Sequence, residues 1–97
     1  MTAKQERFFK HLAMLQKSCV GACMARHGTY DEQTKSMLYE VTYEMTVRIM
    51  ETIDGYSDFS HDRHDIVNTV TQERLKAEPF IELHDAVEEW LVTDSAG

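Results

Sequence analysis

Apolar residues in the first quarter of the chain return at steps of three and four: Phe8, Leu12, Leu15, Cys19, Ala22 and Cys23. That is the period of one helical face, and it predicts a first helix from Lys4 to His27 with those six residues turned to the core. Both ends carry stop signals. Thr2 with Gln5 three residues on has the pattern of a capping box, Arg26 and His27 suit the negative end of the helix dipole, and Gly28 fits a left-handed cap. Thr29, Asp31 and Glu32 then open a second helix after almost no loop, so the first two helices are expected to form a tight antiparallel hairpin.

The second helix is predicted to run to about Asp54, where Gly55 supplies the left-handed cap and Tyr56 folds back towards Met50. At 100° per residue Leu38, Val41, Met45, Ile49 and Ile53 share one arc, and Tyr39, Tyr43 and Met50 widen it to about half the circumference. A helix so patterned is expected at the centre, packed on more than one side. Ser57 to His64 is polar and without apolar period, hence a loop. From Asp65 to Lys76 the β-branched Ile66, Val67, Thr69, Val70 and Thr71 favour a short hairpin turning near Thr71 and Gln72, while Ile66, Val70 and Leu75 also approach helical spacing. Pro79 fits the first turn of a last helix whose buried stripe is Phe80, Leu83, Val87, Trp90 and Leu91.

These elements make a mainly α fold: a three-helix antiparallel bundle, with a short β-hairpin between helices two and three as the reading of the ambiguous segment. Ninety-seven residues, 42% hydrophobic, with four Gly and one Pro, fit a single helical domain over residues 1–92 followed by a frayed tail, 93–97. So short a chain gains little net stability, which disfavours a large strained catalytic pocket. No run approaches the ~18 apolar residues of a membrane span, and the first residues lack the apolar core of a secretion signal, so the expectation is a cytoplasmic protein with no membrane partner. Two cysteines do not form a disulfide framework.

The formal charge is −7, and it is unevenly laid out. Residues 1–28 hold five bases (Lys4, Arg7, Lys10, Lys17, Arg26) and one acid, net +4; the remainder holds five bases and sixteen acids, net −11. A basic helix is thus attached to an acidic body, and the overall sign repels phosphate backbones, which argues against direct nucleic-acid binding.

Candidate chemistry is sparse. Cys19, Cys23 and His27 are spaced by four, as three ligands of a soft metal would be, yet the cysteines continue the apolar stripe and are expected as small core hydrophobes. Asp58, His61, Asp62, His64 and Asp65, with His84 and Asp85, evoke the ligand set of metal-dependent phosphohydrolases, but the expected reading is a solvated loop and a partly buried, hydrogen-bonded His84. Glu40, Glu44, Glu51 and Asp54 form an acidic stripe expected to face solvent. Nucleotide-cradling and acyl-transfer motifs are absent: the glycines sit singly at 21, 28, 55 and 97. Gly21 stands inside the first helix, beside Met14, Ser18 and Ala25, on a face of small residues that a second helix can approach closely.

Tyr43-Glu44, Ile53-Asp54-Gly55-Tyr56 and Ile81-Glu82-Leu83-His84-Asp85 resemble a family of small, uncharacterised bacterial proteins with the same order of elements, over roughly residues 38–91. The resemblance implies no activity and transfers no catalytic residue. In that pattern a glycine usually occupies the turn near Gln72.

The expected function is a non-enzymatic acidic interaction domain, without cofactor or bound metal, that self-associates or binds a protein partner through Met14, Ser18, Gly21, Ala25, Tyr39, Tyr43 and Met50, with Glu40, Glu44, Glu51 and Asp54 beside them. Two alternatives come from other classes. An acidic mimic of nucleic acid would inhibit a basic nucleic-acid-binding protein. A small metal-dependent phosphohydrolase would use His61, His64, His84 and Asp85.

Overall fold

Three helices pack against one another in the order α1 (Ala3–His27), α2 (Glu32–Asp54) and α3 (Leu83–Trp90). The structure, a computed structural model, describes residues 1–77 and 79–93. The tail expected over 93–97 therefore lies, from residue 94 onwards, outside the described residues. No described helix is long and apolar enough to cross a membrane.

The helix ends follow from their capping chemistry. Gln5 N–H donates to Thr2 Oγ1 at 3.1 Å and Thr2 N–H donates to Gln5 Oε1 at 2.8 Å, so two orphan amides at the start of α1 are satisfied reciprocally. Gly28 closes the helix at φ 65°. The cap of α2 is Asp31 rather than Thr29, because a carboxylate can take several donors at once: Thr34 N–H at 2.8 Å, and the Thr34 and Thr29 hydroxyls. Those hydrogen bonds, the Thr34 amide first, hold the Asp31 carboxyl down at about 2.

The core lies on a different side of α1 from the one the apolar stripe predicts. Gln5, Phe9, Gln16, Val20 and Met24 are buried, whereas Leu15 and Cys19 are exposed, and Phe8, Leu12 and Cys23 are half-buried. The cysteines are thus not core hydrophobes. The cause is the two glutamines, whose amides bind backbone groups of the segments on either side of α3. Gln5 Nε2 donates to Leu75 O and Pro79 O, each at 2.9 Å. Gln16 Nε2 donates to Val92 O at 2.7 Å and to Tyr39 O at 3.2 Å, while its Oε1 accepts from Val92 N–H at 2.9 Å. Buried amides that bind backbone are worth placing inside even at the expense of a leucine.

On α2 the outcome is similar. Tyr39 and Met50 are buried and Tyr43, Val47 and Ile53 are half-buried, while Val41 (57% exposed), Met45 (61%) and Ile49 (49%) from the middle of the expected arc face outwards. The helix packs on one side only. α3 starts at Leu83, four residues after Pro79, and Phe80 stays exposed before it. Leu83, Ala86, Val87 and Leu91 join Phe9, Met50 and Leu75 in the main core; Val20, Met24 and Tyr39 make a smaller one further along the hairpin.

Between α2 and α3 no strand forms among the described residues. The hairpin is reduced to one antiparallel bridge, Val67 to Arg74, closed by Leu75 N–H to Ile66 O at 2.9 Å and Asn68 N–H to Glu73 O at 2.9 Å. Its turn forces Gln72 to φ 66°. The polar loop folds back onto the end of α2: His64 N–H donates to Ile53 O at 2.7 Å, and a Cβ at Gly55 (φ 91°) would stand 2.7 Å from the Asp62 carbonyl oxygen.

Two substitutions check this backbone. Gln72→Gly removes left-handed strain at the cost of one exposed hydrogen bond from Gln72 Nε2 to Thr69 O, and is expected to raise stability by about 0.5 kcal/mol, seen as a higher thermal midpoint. Gly55→Ala meets both a forbidden φ and a backbone clash, and is expected to cost more than about 2 kcal/mol by chemical denaturation.

Candidate functional site

Asp54 is the last residue of α2 and only 1% exposed, although the acidic stripe predicted it to face solvent. Its burial is paid for by three cationic or donor groups from elsewhere in the chain. Lys76 Nζ, itself on a 3% exposed side chain, lies 2.6 Å from Oδ1. His84 donates twice to Oδ2, through its backbone N–H at 2.9 Å and its ring Nδ1 at 2.6 Å. The first of these bonds caps α3, whose own N-cap residue, Glu82, makes no side-chain cap. One carboxylate thus ends α2, starts α3 and holds the 75–77 segment.

The electrostatics are mutual. Burial pushes the Asp54 carboxyl up, but the Lys76 ammonium and the hydrogen bonds from His84 and from the Leu83 amide outweigh it and hold it below its ordinary value. Burial pushes the His84 imidazole down, and the hydrogen bond to Asp54 with the charges of Asp85, Asp54 and Glu82 carries it above 6.5 instead. The His84 ring stands edge-on to Tyr56, 5.0 Å between centroids, and its Nε2 lies 3.3 Å from Asp85 Oδ1. Tyr56 thus reaches α3 with its ring, while its N–H folds back to Glu51 O at 2.9 Å.

Ligand atoms of Asp54, Glu82 and His84 lie within 4.8 Å of one another, a spacing that could hold a metal ion. The surrounding chemistry fits a cation poorly, because Lys76 already neutralises Oδ1 and the Nδ1 proton of His84 already engages Oδ2. The cluster is better described as a charge-compensated latch. The other proposed ligands do not join it: His61 is exposed, the exposed His64 holds Ile53 O through Nδ1 at 3.2 Å, Asp65 pairs with Arg74 at 3.3 Å, and Cys19, Cys23 and His27 form no such group among the described residues.

The residues expected to form an interaction face divide sharply. Met14, Ser18, Gly21 and Ala25 are exposed, and a Cβ built on Gly21 would meet nothing within 4 Å. Glu40 and Glu44 are exposed and Glu51 and Tyr43 half-buried. Tyr39, Met50 and Asp54 are buried in the chain itself and are not available to a partner, because the side of α2 that carries them faces α1 and α3. In their place stands the arc that was expected inside. Leu12, Leu15 and Cys19 of α1 and Val41 and Met45 of α2 line an open apolar groove of about 390 Å³. Leu15, Val41, Met45 and the adjoining Met14, Met37 and Ile49 are all more than two-fifths exposed.

Sequence reasoning missed Lys76, Gln5 and Gln16. For Gln16 a signal existed, since 5, 9, 16, 20 and 24 share a helical face as strictly as the apolar set does.

The latch has a pH signature. Asp54, with a lowered value, contributes stability that is present above 3.8 and is lost as pH falls through its folded value. His84, with a raised value, contributes stability that is complete below 6.5 and is lost as pH rises through its folded value. Thermal midpoints should therefore be highest between about 4 and 6.5 and decline on both sides. His84→Gln should flatten the alkaline decline. Asp54→Ala strands the buried ammonium and uncaps α3, an expected loss of about 3–5 kcal/mol by denaturant titration, part of which Lys76→Met in the same chain should restore.

No protein-family model, curated protein or solved structure matches the chain, so its own residues carry any reading of what it does.

Proposed function

We propose that the chain is a non-enzymatic interaction domain whose working surface is the apolar face shared by α1 and α2. The observation that carries this is the exposure of Leu15, Val41, Met45 and Ile49 side by side on a chain with a separate, fully formed core. Scattered exposed hydrophobes are ordinary, but a continuous strip along two adjacent helices is the mark of a contact surface. The groove between them is lined by aliphatic and sulfur-bearing side chains and by Gln16, whose amide is bonded to Tyr39 O and Val92 O, with the Thr42 and Thr46 hydroxyls turned to backbone carbonyls of their own helix. Such a lining suits another helix better than a small polar substrate.

The buried ion-pair cluster supports the same reading. Both oxygens of Asp54 and the Nδ1 position of His84 serve the fold, and no cavity among those described is lined by His84. An acidic decoy is less favoured, since Asp54 leaves the surface stripe and Glu44 is paired with Arg48 at 3.7 Å.

The test separates a working surface from a structural one. The triple variant Val41→Thr, Met45→Gln, Ile49→Thr, studied at a concentration where the chain sediments as a monomer, should keep its helical dichroism and lose less than about 1 kcal/mol, whereas Leu83→Ala should lose about 2–5 kcal/mol. A triple variant as unstable as Leu83→Ala would assign those residues to the chain's own fold and overturn the proposal.

A further inference from the structure

We infer that the occupant of the α1–α2 face is a second copy of this chain, the two hairpins forming an antiparallel four-helix bundle with α1 of each copy against α2 of the other. The inference rests on the surface proposed above and adds the partner.

Length is the first argument. α1 has 25 residues and α2 has 23, but α3 has only eight, so at about 1.5 Å per residue a third helix of roughly 12 Å supports hairpin arms of roughly 35 Å. Beyond the contact of Gln16 with Val92, the arms are, among the described residues, two helices joined by the small cluster of Val20, Met24 and Tyr39. Two helices bury one side each and leave the other bare. A second hairpin laid on that side completes the layer that α3 is too short to supply.

Charge selects the partner. Residues 1–28 carry net +4, whereas α2, apart from the buried and paired Asp54, carries four acids and two bases, net −2. A foreign helix would have to match a positive and a negative arm at once, and a twofold-related copy does so automatically: α1 meets α2 of the partner, with opposite sign at both places. The alternative twofold, α1 on α1, sets +4 against +4.

Area and shape agree. A face two helices wide and about 30 Å long is roughly 600 Å² per copy, or about 1,200 Å² in total, at the lower bound of specific stable interfaces. Ser18 and Ala22, both exposed, edge that face beside Leu15, and their small side chains let a neighbouring backbone come close.

Sedimentation equilibrium of the full chain from about 1 to 300 µM tests this, a range that resolves dissociation constants typical of an interface this small. The wild type is expected to pass from monomer to dimer. Val41→Asp with Met45→Asp should weaken dimerisation at least about a hundredfold with unchanged helical dichroism. Glu40→Lys with Glu44→Lys, which leaves the apolar strip intact, should weaken it by about tenfold at low salt and less at high salt. A wild type that is monomeric throughout, a larger oligomer, or a dimer indifferent to Val41→Asp with Met45→Asp would overturn the second copy as occupant. The first of these leaves the interaction surface itself standing, since that is judged on the monomer by the Val41, Met45 and Ile49 variant. A dimer broken by the aspartates but strengthened by the lysines would overturn the pairing of α1 with α2.

Discussion

The carboxylate of Asp54 is where the architecture converges. A charge taken out of water at the end of one helix is costly, and it persists here because an ammonium, an imidazole and a backbone amide come to it from chain more than twenty residues further on. Each of those groups is placed by that meeting. Lys76 fixes the 75–77 segment, the His84 amide fixes the first turn of α3, and the orientation of α3 then brings Leu83, Val87 and Leu91 onto Phe9 and Met50. A polar interaction sets the direction, and apolar burial supplies most of the energy.

The two glutamines of α1 act in the same way at the other contacts. Gln5 holds the carbonyls of the chain entering α3 and Gln16 holds the backbone leaving it, so both ends of a helix too short to be stable alone are tied to α1. This explains why α1 is rotated from its most apolar stripe. Leucines and cysteines lose little by facing a shallow groove, whereas buried backbone groups of the connecting segments lose much if left without a partner.

The exposed apolar face is the consequence of that rotation. Once the amides of Gln5 and Gln16 and the ring of Tyr39 face inwards, Leu15, Val41 and Met45 must face outwards, since they lie about a quarter-turn or more away on their helices. The polar latch and the surface proposed for partner binding are in this sense two sides of one packing choice, which places the fold's hydrogen bonds at the α3 end and leaves the hairpin arms free.

Local signals in the sequence determined the helix count, both ends of α1, the C-terminal end of α2 and the tight connection between these two helices. The Thr2–Gln5 box, Gly28 and Gly55 act through neighbours within four residues, and such contacts are written in residue order. The turn near Thr71 and Gln72 was legible for the same reason, though not the left-handed backbone at Gln72. Which face of each helix turned inwards was decided only by the tertiary structure. An apolar period identifies a helix but gives no account of buried amides that bind distant carbonyls, nor of a lysine and an aspartate that neutralise each other across twenty-two positions. The start of α3 at Leu83 rather than Pro79 was likewise set by a carboxylate from another helix, and partners so far apart in the chain leave no periodic trace in it.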